Sequence, residues 1–222
     1  MKNHLKRIAA PRNWKILRKA NVFVTCPKPG AHSIETSVPF TIFCKDMARI
    51  AANTKDVKYL INNKTIKING LKVKGYRQPV GIMDSVTIDE TGQNFRILLN
   101  TQGKLIAKET DESNHIVQIK NKAKLKGNRT QLNFNSGGNL IVEKDEYKTG
   151  DSLILEGKNI KEHIPLQKGA YVFLTGGRHK GNSGVIDEIQ DDKIIYKNDG
   201  QLVETDKQYA FVIGTKKPQI TM

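Results

Sequence analysis

The chain has few cysteines, few aromatic residues and no long apolar run. Its 222 residues include two cysteines and one tryptophan, and 6% of them are aromatic. Cys26 and Cys44 are too few for a disulfide scaffold and match no metal-ligand spacing. No apolar run approaches the roughly 20 residues of a membrane span, and the N-terminal segment lacks the apolar stretch of about 7–15 residues that a secretory signal needs. We therefore expect a soluble, cytosolic chain whose core is modest or divided among small modules.

Acidic residues are scarce, above all in the N-terminal part. The formal charge is +15, from 37 Lys and Arg against 22 Asp and Glu, and the pI is about 9.7. Residues 1–34 hold eight basic residues and no acid, and the net charge falls to +5 over 35–88, +2 over 89–168 and zero over 169–222. Basic residues that neutralise phosphates release counterions, which favours a polyanionic partner. The alternative is a solvated tail, but Trp14 and the aliphatic residues of this segment need a surface to pack on.

Periodicity predicts few helices and many short strands. Spacings of three and four predict a helix over residues 38–52, and a second helix is expected to be capped by Thr54 and to end at Asn62-Asn63. One or two helical turns are expected at 13–19. Asn69-Gly70 between two apolar runs predicts a hairpin. The rest of the chain has short strands at eight- to twelve-residue spacing, which is typical of small β-barrels.

Patterns that would indicate an enzyme are missing. No histidine stands four residues from another histidine or from a helical glutamate, and the sequence has neither Gly-x-Ser-x-Gly nor Gly-x-Gly-x-x-Gly. The acidic clusters fall in expected turns, without the spacing of a paired-carboxylate nuclease. We therefore expect no catalytic residue, no metal, no cofactor and no small-molecule substrate.

Four basic clusters are candidates for RNA binding. Lys45 and Arg49 are four residues apart and would share one helix face, and the alternating lysines from Lys120 onward would share one face of an extended strand. The alternatives are ordinary solvent-exposed helix faces and lysines that protect a strand edge. The clusters comprise Lys2, His4, Lys6, Arg7, Arg12, Lys15, Arg18 and Lys19; Lys45, Arg49, Lys55, Lys58, Lys64 and Lys67; Lys120, Lys122, Lys124, Lys126 and Arg129; and Arg178, His179 and Lys180.

Glycines mark the loop that carries the last of these clusters. Gly177, Gly181 and Gly184 permit a tight turn between two strands, and the backbone amides of such a loop can approach a phosphate. A nucleotide-binding P-loop is excluded, because Lys180 precedes its glycine and strand residues follow. A basic hairpin without a partner is the remaining alternative. We expect structural turns at Asn69, Gly70, Gly177, Gly181 and Gly184.

Two local motifs resemble known RNA-binding elements. The Asn69-Gly70 turn, followed later by Asp84-Ser85-Val86, resembles the S4-type RNA-binding module, although Met83 stands where that module usually has glycine. The stretch from Gly177 to Ile186, after an apolar strand, resembles the KOW motif of ribosomal and transcription-elongation proteins.

The whole chain resembles the archaeal and eukaryotic-type small-subunit ribosomal protein family S4e. The matching segments include the opening run from His4 to Pro11 with Trp14, the segment 39–43, the Asn69-Gly70 hairpin, the segments 79–84 and 92–96, the loop 175–184 and the segment 210–214. Because the chain ends soon after this last segment, it is more similar to the archaeal form.

This resemblance implies a fold, a function and partners. The fold would be α+β and mostly β: a basic N-terminal arm (1–36), a helical S4-type module with a hairpin (37–92), a central β-domain (93–168) and an SH3-like KOW barrel (169–222). The protein would be a structural constituent of the small ribosomal subunit, bound to ribosomal RNA and neighbouring ribosomal proteins. We further expect the arm to order only on RNA, and Trp14 to pack inside the protein.

Two other functions stay open on sequence grounds. A transcription elongation or antitermination factor could carry the same KOW barrel. An RNA-modifying enzyme could carry the S4-type module, although the 134 residues after Ile88 contain no recognisable catalytic domain.

Overall fold

A computed structural model describes residues 4–111, 114–127, 129–143, 145–157, 159–198, 200–215 and 218. The chain is mostly β with few helices and divides into two compact units. The first unit holds the chain up to Ser113 apart from Asn100–Gln102, and the second unit holds Asn100–Gln102 with the remainder. The predicted α+β, mostly β class is confirmed. Among the described residues, no helix combines the length and the apolarity that crossing a membrane requires.

The first unit is organised around a five-stranded antiparallel sheet of order β5-β4-β7-β8-β9. Two smaller strand pairs, β1-β2 and β3-β6, accompany it. In chain order the strands are Leu5–Lys6 (β1), Phe23–Val24 (β2), Ser37–Pro39 (β3), Ile66–Ile68 (β4), Leu71–Lys72 (β5), Pro79–Gly81 (β6), Ser85–Ile88 (β7), Gln93–Leu99 (β8) and Leu105–Thr110 (β9). Since β8 pairs with β7, this sheet runs across the boundary expected between residues 92 and 93. The division into four domains remains a proposal.

The first predicted helix is shorter than expected. The α-helix Phe40–Ile42 (α1) runs directly into a π-helical segment, Phe43–Met47. The prediction of helix over 38–52 is therefore wrong at both ends. Residues before Phe40 pair as β3 with β6, and Arg49 adopts a φ of 57°, a left-handed conformation that a helix cannot continue through.

The second helix, Thr54–Asn63 (α2), ends where predicted but is capped by a different residue. The Asn53 side chain accepts hydrogen bonds from the amides of Lys55 and Asp56, and the Asp56 carboxylate accepts one from the Asn53 amide at 3.1 Å. This reciprocal arrangement is a capping box. The cap is Asn53 rather than Thr54. Residues 13–19 form turns and bends instead of helical turns, and the described residues also include short 3-10 helices at Arg7–Ala9 and Lys207–Tyr209.

The core of the first unit is packed by aromatic and branched side chains. Phe40, Phe43 and Val80 have no exposed surface, and Phe95 is 7% exposed. The Phe43 ring lies 5.7 Å from the rings of both Phe40 and Phe95. This packing fastens the short helical segment to the main sheet, because Phe95 belongs to β8.

The second unit contains two five-stranded antiparallel sheets, of order β12-β11-β10-β13-β14 and β18-β17-β16-β15-β19. Its strands are His115–Leu125 (β10), Arg129–Phe134 (β11), Asn139–Val142 (β12), Ser152–Glu156 (β13), Asn159–Ile164 (β14), Tyr171–Leu174 (β15), Ser183–Gln190 (β16), Lys193–Asn198 (β17), Gln201–Asp206 (β18) and Ala210–Gly214 (β19).

The last sheet closes tightly around Gly184, which pairs with Val172 on β15. A Cβ on Gly184 would lie 2.3 Å from the Lys197 carbonyl oxygen and 2.8 Å from the Tyr196 ring. Only glycine therefore lets β16 and β17 approach this closely. Tyr196 itself has no exposed surface, and burial raises the pKa of its hydroxyl.

Candidate RNA interface

The N-terminal arm folds on itself. Its β1 and β2 strands pair with Leu5 opposite Val24, and the Arg18 guanidinium donates to the carbonyl oxygens of Ile8, Ala10 and Pro11 at 2.8–3.0 Å. Arg7 Nε donates to the Leu17 carbonyl oxygen at 2.5 Å. Arg7 and Arg18 thus hold backbone carbonyls of the arm, a role that their basic charge alone does not suggest.

Trp14 anchors this arm in the first unit. Its ring is 2% exposed, and its Nε1 donates to the Ser37 carbonyl oxygen at 2.8 Å. The Leu105 amide donates to the Asn13 carbonyl oxygen at 2.9 Å. The prediction that Trp14 packs inside the protein is confirmed. The expectation of an arm that orders only on RNA stays a prediction, and the structure favours the opposite outcome, because the indole and guanidinium groups of the arm find their partners within the chain.

Five predicted cationic positions of the arm remain on its surface. They are the exposed His4, Lys6, Arg12, Lys15 and Lys19. Lys2 lies outside the described residues. Apolar side chains share this surface, with Leu17 77% exposed and Phe23 54% exposed. The arm therefore presents positive charge together with apolar area.

A cleft of about 440 Å³ opens where the arm meets the short helical segment. Its lining residues include the cations Arg7, Lys45 and Arg77 and the acid Asp46. Phe23 and Tyr76 provide aromatic surface at the same opening. Arg77, Phe23 and Tyr76 were absent from the predicted set, because no sequence spacing connects residues that meet only after the arm folds.

The Asn69-Gly70 hairpin forms as predicted. Asn69 and Gly70 have φ values of 53° and 76°, as a type I′ turn requires. The Asn69 side chain donates to Asp84 Oδ1 at 2.7 Å and accepts from the Ser85 amide at 2.9 Å. Met83, in the usual glycine position, has a φ of 68° and is 3% exposed. Met83 thus keeps the left-handed conformation that favours glycine, and its side chain is buried in the protein.

A buried ion pair joins residues 32 and 84. His32 Nε2 lies 3.0 Å from Asp84 Oδ2, and both side chains are at most 6% exposed. The same carboxylate accepts from the Gly81 amide at 2.7 Å. Burial alone would lower the pKa of His32, but the charge of Asp84 and its hydrogen bond more than offset this, so the pKa is raised. The sequence placed Asp84 in the motif that resembles the S4-type module but gave no sign of a partnership with His32.

The cations of the helical segment do not form one face. Lys45 lies in the π-helical segment and Arg49 in the left-handed turn after it, so the predicted shared helix face does not exist. Lys58 Nζ sits 5.0 Å from the centre of the Tyr76 ring, and Lys67 pairs with Asp89 at 2.6 Å. Lys55 is exposed and Lys64 is half-buried. These contacts orient Lys58 and Lys67 at the surface.

The central lysine cluster is extended, as predicted, but a bulge interrupts it. Ile119 pairs with Phe134 and Asn121 with Asn133, so Lys120 is an extra residue on β10. Alternation restarts after the bulge, with Lys122 opposite Leu132 and Lys124 opposite Thr130. The four lysines therefore do not share one regular face.

Lys122 also has partners within the chain. Its ammonium group contacts Asp145 at 2.5 Å and the Tyr147 carbonyl oxygen at 2.7 Å. The remaining members of the cluster are exposed: Lys120, Lys124, Lys126 and Arg129.

The glycine-rich loop between β15 and β16 presents the last basic cluster. Gly177 and Gly181 have φ values of 75° and 85°, so the loop turns at these two positions as predicted. The turn predicted at Gly184 is wrong, because Gly184 lies within β16, where it pairs with Val172. The Gly181 amide donates to the Leu174 carbonyl oxygen at 2.8 Å, which closes the loop. Arg178 and Lys180 are exposed and His179 is half-buried. A loop of this kind can present cations and amides to a phosphate.

Both cysteines are free thiols, of which Cys44 is buried and Cys26 is half-buried. Burial raises the pKa of the Cys44 thiol, which disfavours the reactive thiolate. Within the described ranges, no three His, Cys, Asp or Glu side chains are grouped as metal ligands would be.

Three family profiles match successive parts of the chain. The RS4NT (NUC023) domain matches residues 1–35, Ribosomal family S4e matches 91–161, and the KOW motif matches 168–198. A solved structure, the 30S ribosomal protein S4e from Thermoplasma acidophilum, is similar at a TM-score of 0.70 and 25% identity, covering 81% of this chain and 96% of that one.

Curated relatives match along the whole length. Small ribosomal subunit protein eS4 from Methanococcus maripaludis is 36% identical, covering 100% of this chain and 98% of the relative. The protein of the same name from Methanosphaera stadtmanae is also 36% identical, with 100% and 96% covered. With full-length similarity at this level and all three profiles in order, the chain belongs to the S4e family of small-subunit ribosomal proteins.

Proposed function

We propose that the protein is a structural, non-enzymatic constituent of the small ribosomal subunit on cytoplasmic ribosomes, where it binds ribosomal RNA and neighbouring ribosomal proteins. The observation that carries this is the placement of exposed cations on the arm, on a strand end and on a glycine-rich loop. Phosphate contacts of this kind position a protein on RNA and dominate its affinity.

The phosphate-contacting residues that we propose are the predicted cations whose charged groups stay at the surface. Arg7 and Arg18 are better explained as braces of the arm, and Lys122 as a partner of Asp145. The proposed set is His4, Lys6, Arg12, Lys15, Lys19, Lys45, Arg49, Lys55, Lys58, Lys64, Lys67, Lys120, Lys124, Lys126, Arg129, Arg178, His179 and Lys180. Lys2, which lies outside the described residues, is proposed on its sequence position alone.

The two other functions considered from sequence are not favoured. Relatives named as small-subunit ribosomal proteins match this chain from end to end, whereas a transcription factor or a modifying enzyme would share only the KOW motif or the S4-type module.

Sedimentation tests the proposal. An affinity-tagged chain, expressed in a methanogen such as Methanococcus maripaludis, should co-sediment with small subunits on a sucrose gradient and stay there after a wash at moderate salt. Material that stays at the top of the gradient, or that co-purifies with RNA polymerase and not with subunits, would contradict it.

A further inference from the structure

One tyrosine outside the glycine-rich loop packs directly on the backbone of that loop. Tyr209 ends the short 3-10 helix before β19 and is half-buried. A Cβ on Gly176 would lie 2.4 Å from ring carbon Cδ1, and a Cβ on Gly177 would lie 3.3 Å from ring carbon Cδ2. Opposite edges of the ring therefore face two successive residues of the loop, and the contact with Gly176 is possible only because that residue has no side chain.

The backbone of Tyr209 holds the same end of the loop. Its carbonyl oxygen accepts a hydrogen bond from the Thr175 amide at 2.9 Å and another from the Thr175 hydroxyl at 3.1 Å. These bonds continue the pairing of β15 with β19, in which Leu174 stands opposite Ala210. The sheet thus sets the position of the Tyr209 ring, and the ring in turn supports the loop.

The far end of the loop is closed by bonds to β15. The Gly181 amide donates to the Leu174 carbonyl oxygen at 2.8 Å, and the Leu174 amide donates to the Asn182 carbonyl oxygen at 2.9 Å. The Asn182 amide donates to the carbonyl oxygen of residue 179 at 3.1 Å. Both ends of the loop are therefore held, and the three cationic positions, 178–180, lie between them.

A loop held at both ends keeps its cations in place before a ligand arrives. Arg178 and Lys180 are the exposed members of this cluster. Immobilising a long side chain or a loop on binding costs free energy, and a site that is ordered beforehand loses less of it. The ring that supports the loop therefore favours phosphate binding without carrying any charge.

We propose that Tyr209 is a positioning residue for RNA binding, whose ring holds the glycine-rich loop in the conformation that presents Arg178 and Lys180 to phosphates. This inference rests on the proposed function and deepens it. It adds an uncharged residue that lies outside the segment 168–198 matched by the KOW motif. In this role Tyr209 acts through the loop and makes no RNA contact of its own.

Four variants separate the ring from the rest of the side chain. Tyr209→Leu keeps apolar bulk but removes the ring, and Tyr209→Phe keeps the ring. Gly176→Ala keeps the tyrosine but displaces its ring from the loop, because the added Cβ would overlap the ring. Gly138→Ala is the matched control, since a Cβ there would lie at an ordinary 3.6 Å from the Phe134 ring.

Limited digestion of the free chain with trypsin tests whether the ring holds the loop. Trypsin cleaves after Arg178 and Lys180, and mass spectrometry of the fragments reports the rate at these two bonds. The loop should be cleaved faster in Tyr209→Leu and Gly176→Ala than in the parent chain. Tyr209→Phe and Gly138→Ala should be cleaved at the parent rate.

Binding to a transcript of the small-subunit ribosomal RNA of Methanococcus maripaludis tests the consequence. Tyr209→Leu and Gly176→Ala should bind roughly twofold to tenfold more weakly, which corresponds to the cost of immobilising one long side chain. Their log–log salt slope should equal that of the parent chain, because no charge has been removed. Tyr209→Phe and Gly138→Ala should bind like the parent chain.

Removing the loop cations distinguishes positioning from direct contact. In the double variant Arg178→Gln/Lys180→Gln, the salt slope should fall by about 1.4–1.8, at about 0.7–0.9 per phosphate contact. Adding Tyr209→Leu to this variant should not weaken binding further, because the groups that the ring positions are gone. All comparisons are made at a temperature below the thermal unfolding midpoint of every variant.

Three results would overturn the inference and leave the proposed function standing. They are equal cleavage of the loop in Tyr209→Leu and the parent chain, equal RNA affinity of these two chains, and a Tyr209→Leu effect that persists at full size without the loop cations. The last result would mean that the ring contacts RNA itself or acts elsewhere. A parent chain without salt-dependent binding to the transcript would instead overturn the proposed function, and the trypsin comparison would still decide whether Tyr209 holds the loop.

Discussion

At the scale of single residues, basic charge serves two different purposes in the arm. Arg18 binds three carbonyl oxygens of its own segment, whereas Lys15 and Lys19 extend into solvent. The planar guanidinium matches a cluster of carbonyls, and a lysine ammonium is less suited to that task. Arg18 thus braces the arm, whereas Lys15 and Lys19 leave their charge available at the surface.

Trp14, the single tryptophan, reports whether the arm is folded without RNA. In the free protein its fluorescence should be blue-shifted relative to the denatured chain and poorly quenched by acrylamide, because the ring is buried. Trp14→Phe should destabilise the fold by about 1–3 kcal/mol in denaturant titrations, since the Ser37 carbonyl oxygen loses its donor. Strong acrylamide quenching in the free protein would restore the expectation of a disordered arm.

His32 should make stability depend on pH. Its folded-state pKa is raised, with burial opposing and Asp84 favouring the charged form. The stabilisation is therefore fully present below the unfolded pKa of about 6.5 and is lost as pH rises through the higher folded-state value. Denaturant unfolding between pH 5.5 and 8.5 checks this.

The control for this pH dependence is His32→Gln, which cannot titrate. Subtracting its profile from that of the parent chain removes the contributions of all other groups. A difference that is flat with pH, or that grows as pH rises, would contradict the assignment.

At the scale of secondary-structure elements, short sequence motifs were sufficient to predict the features that depend on local backbone conformation. The Asn69-Gly70 hairpin and the glycine-rich loop were placed correctly because positive φ values select those residues. The first helix was misplaced, because its apolar periodicity continues past Met47 while the pairing of β3 with β6 and the turn at Arg49 end the helix on both sides. Such tertiary contacts cannot be predicted from the conformational preferences of the residues within a short stretch of sequence.

Gly184→Ala should destabilise the second unit by about 1–3 kcal/mol or more, in line with other overpacked sites. The added Cβ would meet the Lys197 carbonyl oxygen, which is backbone and cannot move aside. Thermal unfolding measures the loss. Gly75→Ala is the control, because a Cβ there meets no atom within 4 Å and its φ is ordinary. Equal unfolding midpoints for the two variants would refute the packing argument.

At the scale of the whole molecule, the charge gradient is used unevenly. The segment 169–222 is neutral overall yet presents Arg178 and Lys180 on one loop. In the arm, by contrast, the Arg18 guanidinium donates its hydrogen bonds to carbonyl oxygens of the arm itself. Net charge therefore identifies the kind of partner, and the positions of the exposed cations identify where that partner is met.

Replacing Lys6, Arg12, Lys15 and Lys19 with glutamine should reduce the log–log salt slope of ribosomal RNA binding by roughly 3, at about 0.7–0.9 per phosphate contact. These four positions are exposed, so the fold should be kept. Binding isotherms at several salt concentrations give the slope. A quadruple variant with the parent slope would show that the arm contacts no phosphates.

Residue order alone establishes the family resemblance, the mostly β class, the tight turns and the basic charge that favours a polyanionic partner, because these depend on local backbone preference, periodicity and composition. Tertiary folding settles the rest: which arginines brace the arm, that Trp14 is buried, that His32 pairs with Asp84, and that Phe23, Lys45 and Arg77 line one cleft. Arg7 and Arg77, which are 70 positions apart in the chain, both line that cleft, and no short-range rule of sequence carries information about contacts that form only when the arm packs onto the rest of the first unit.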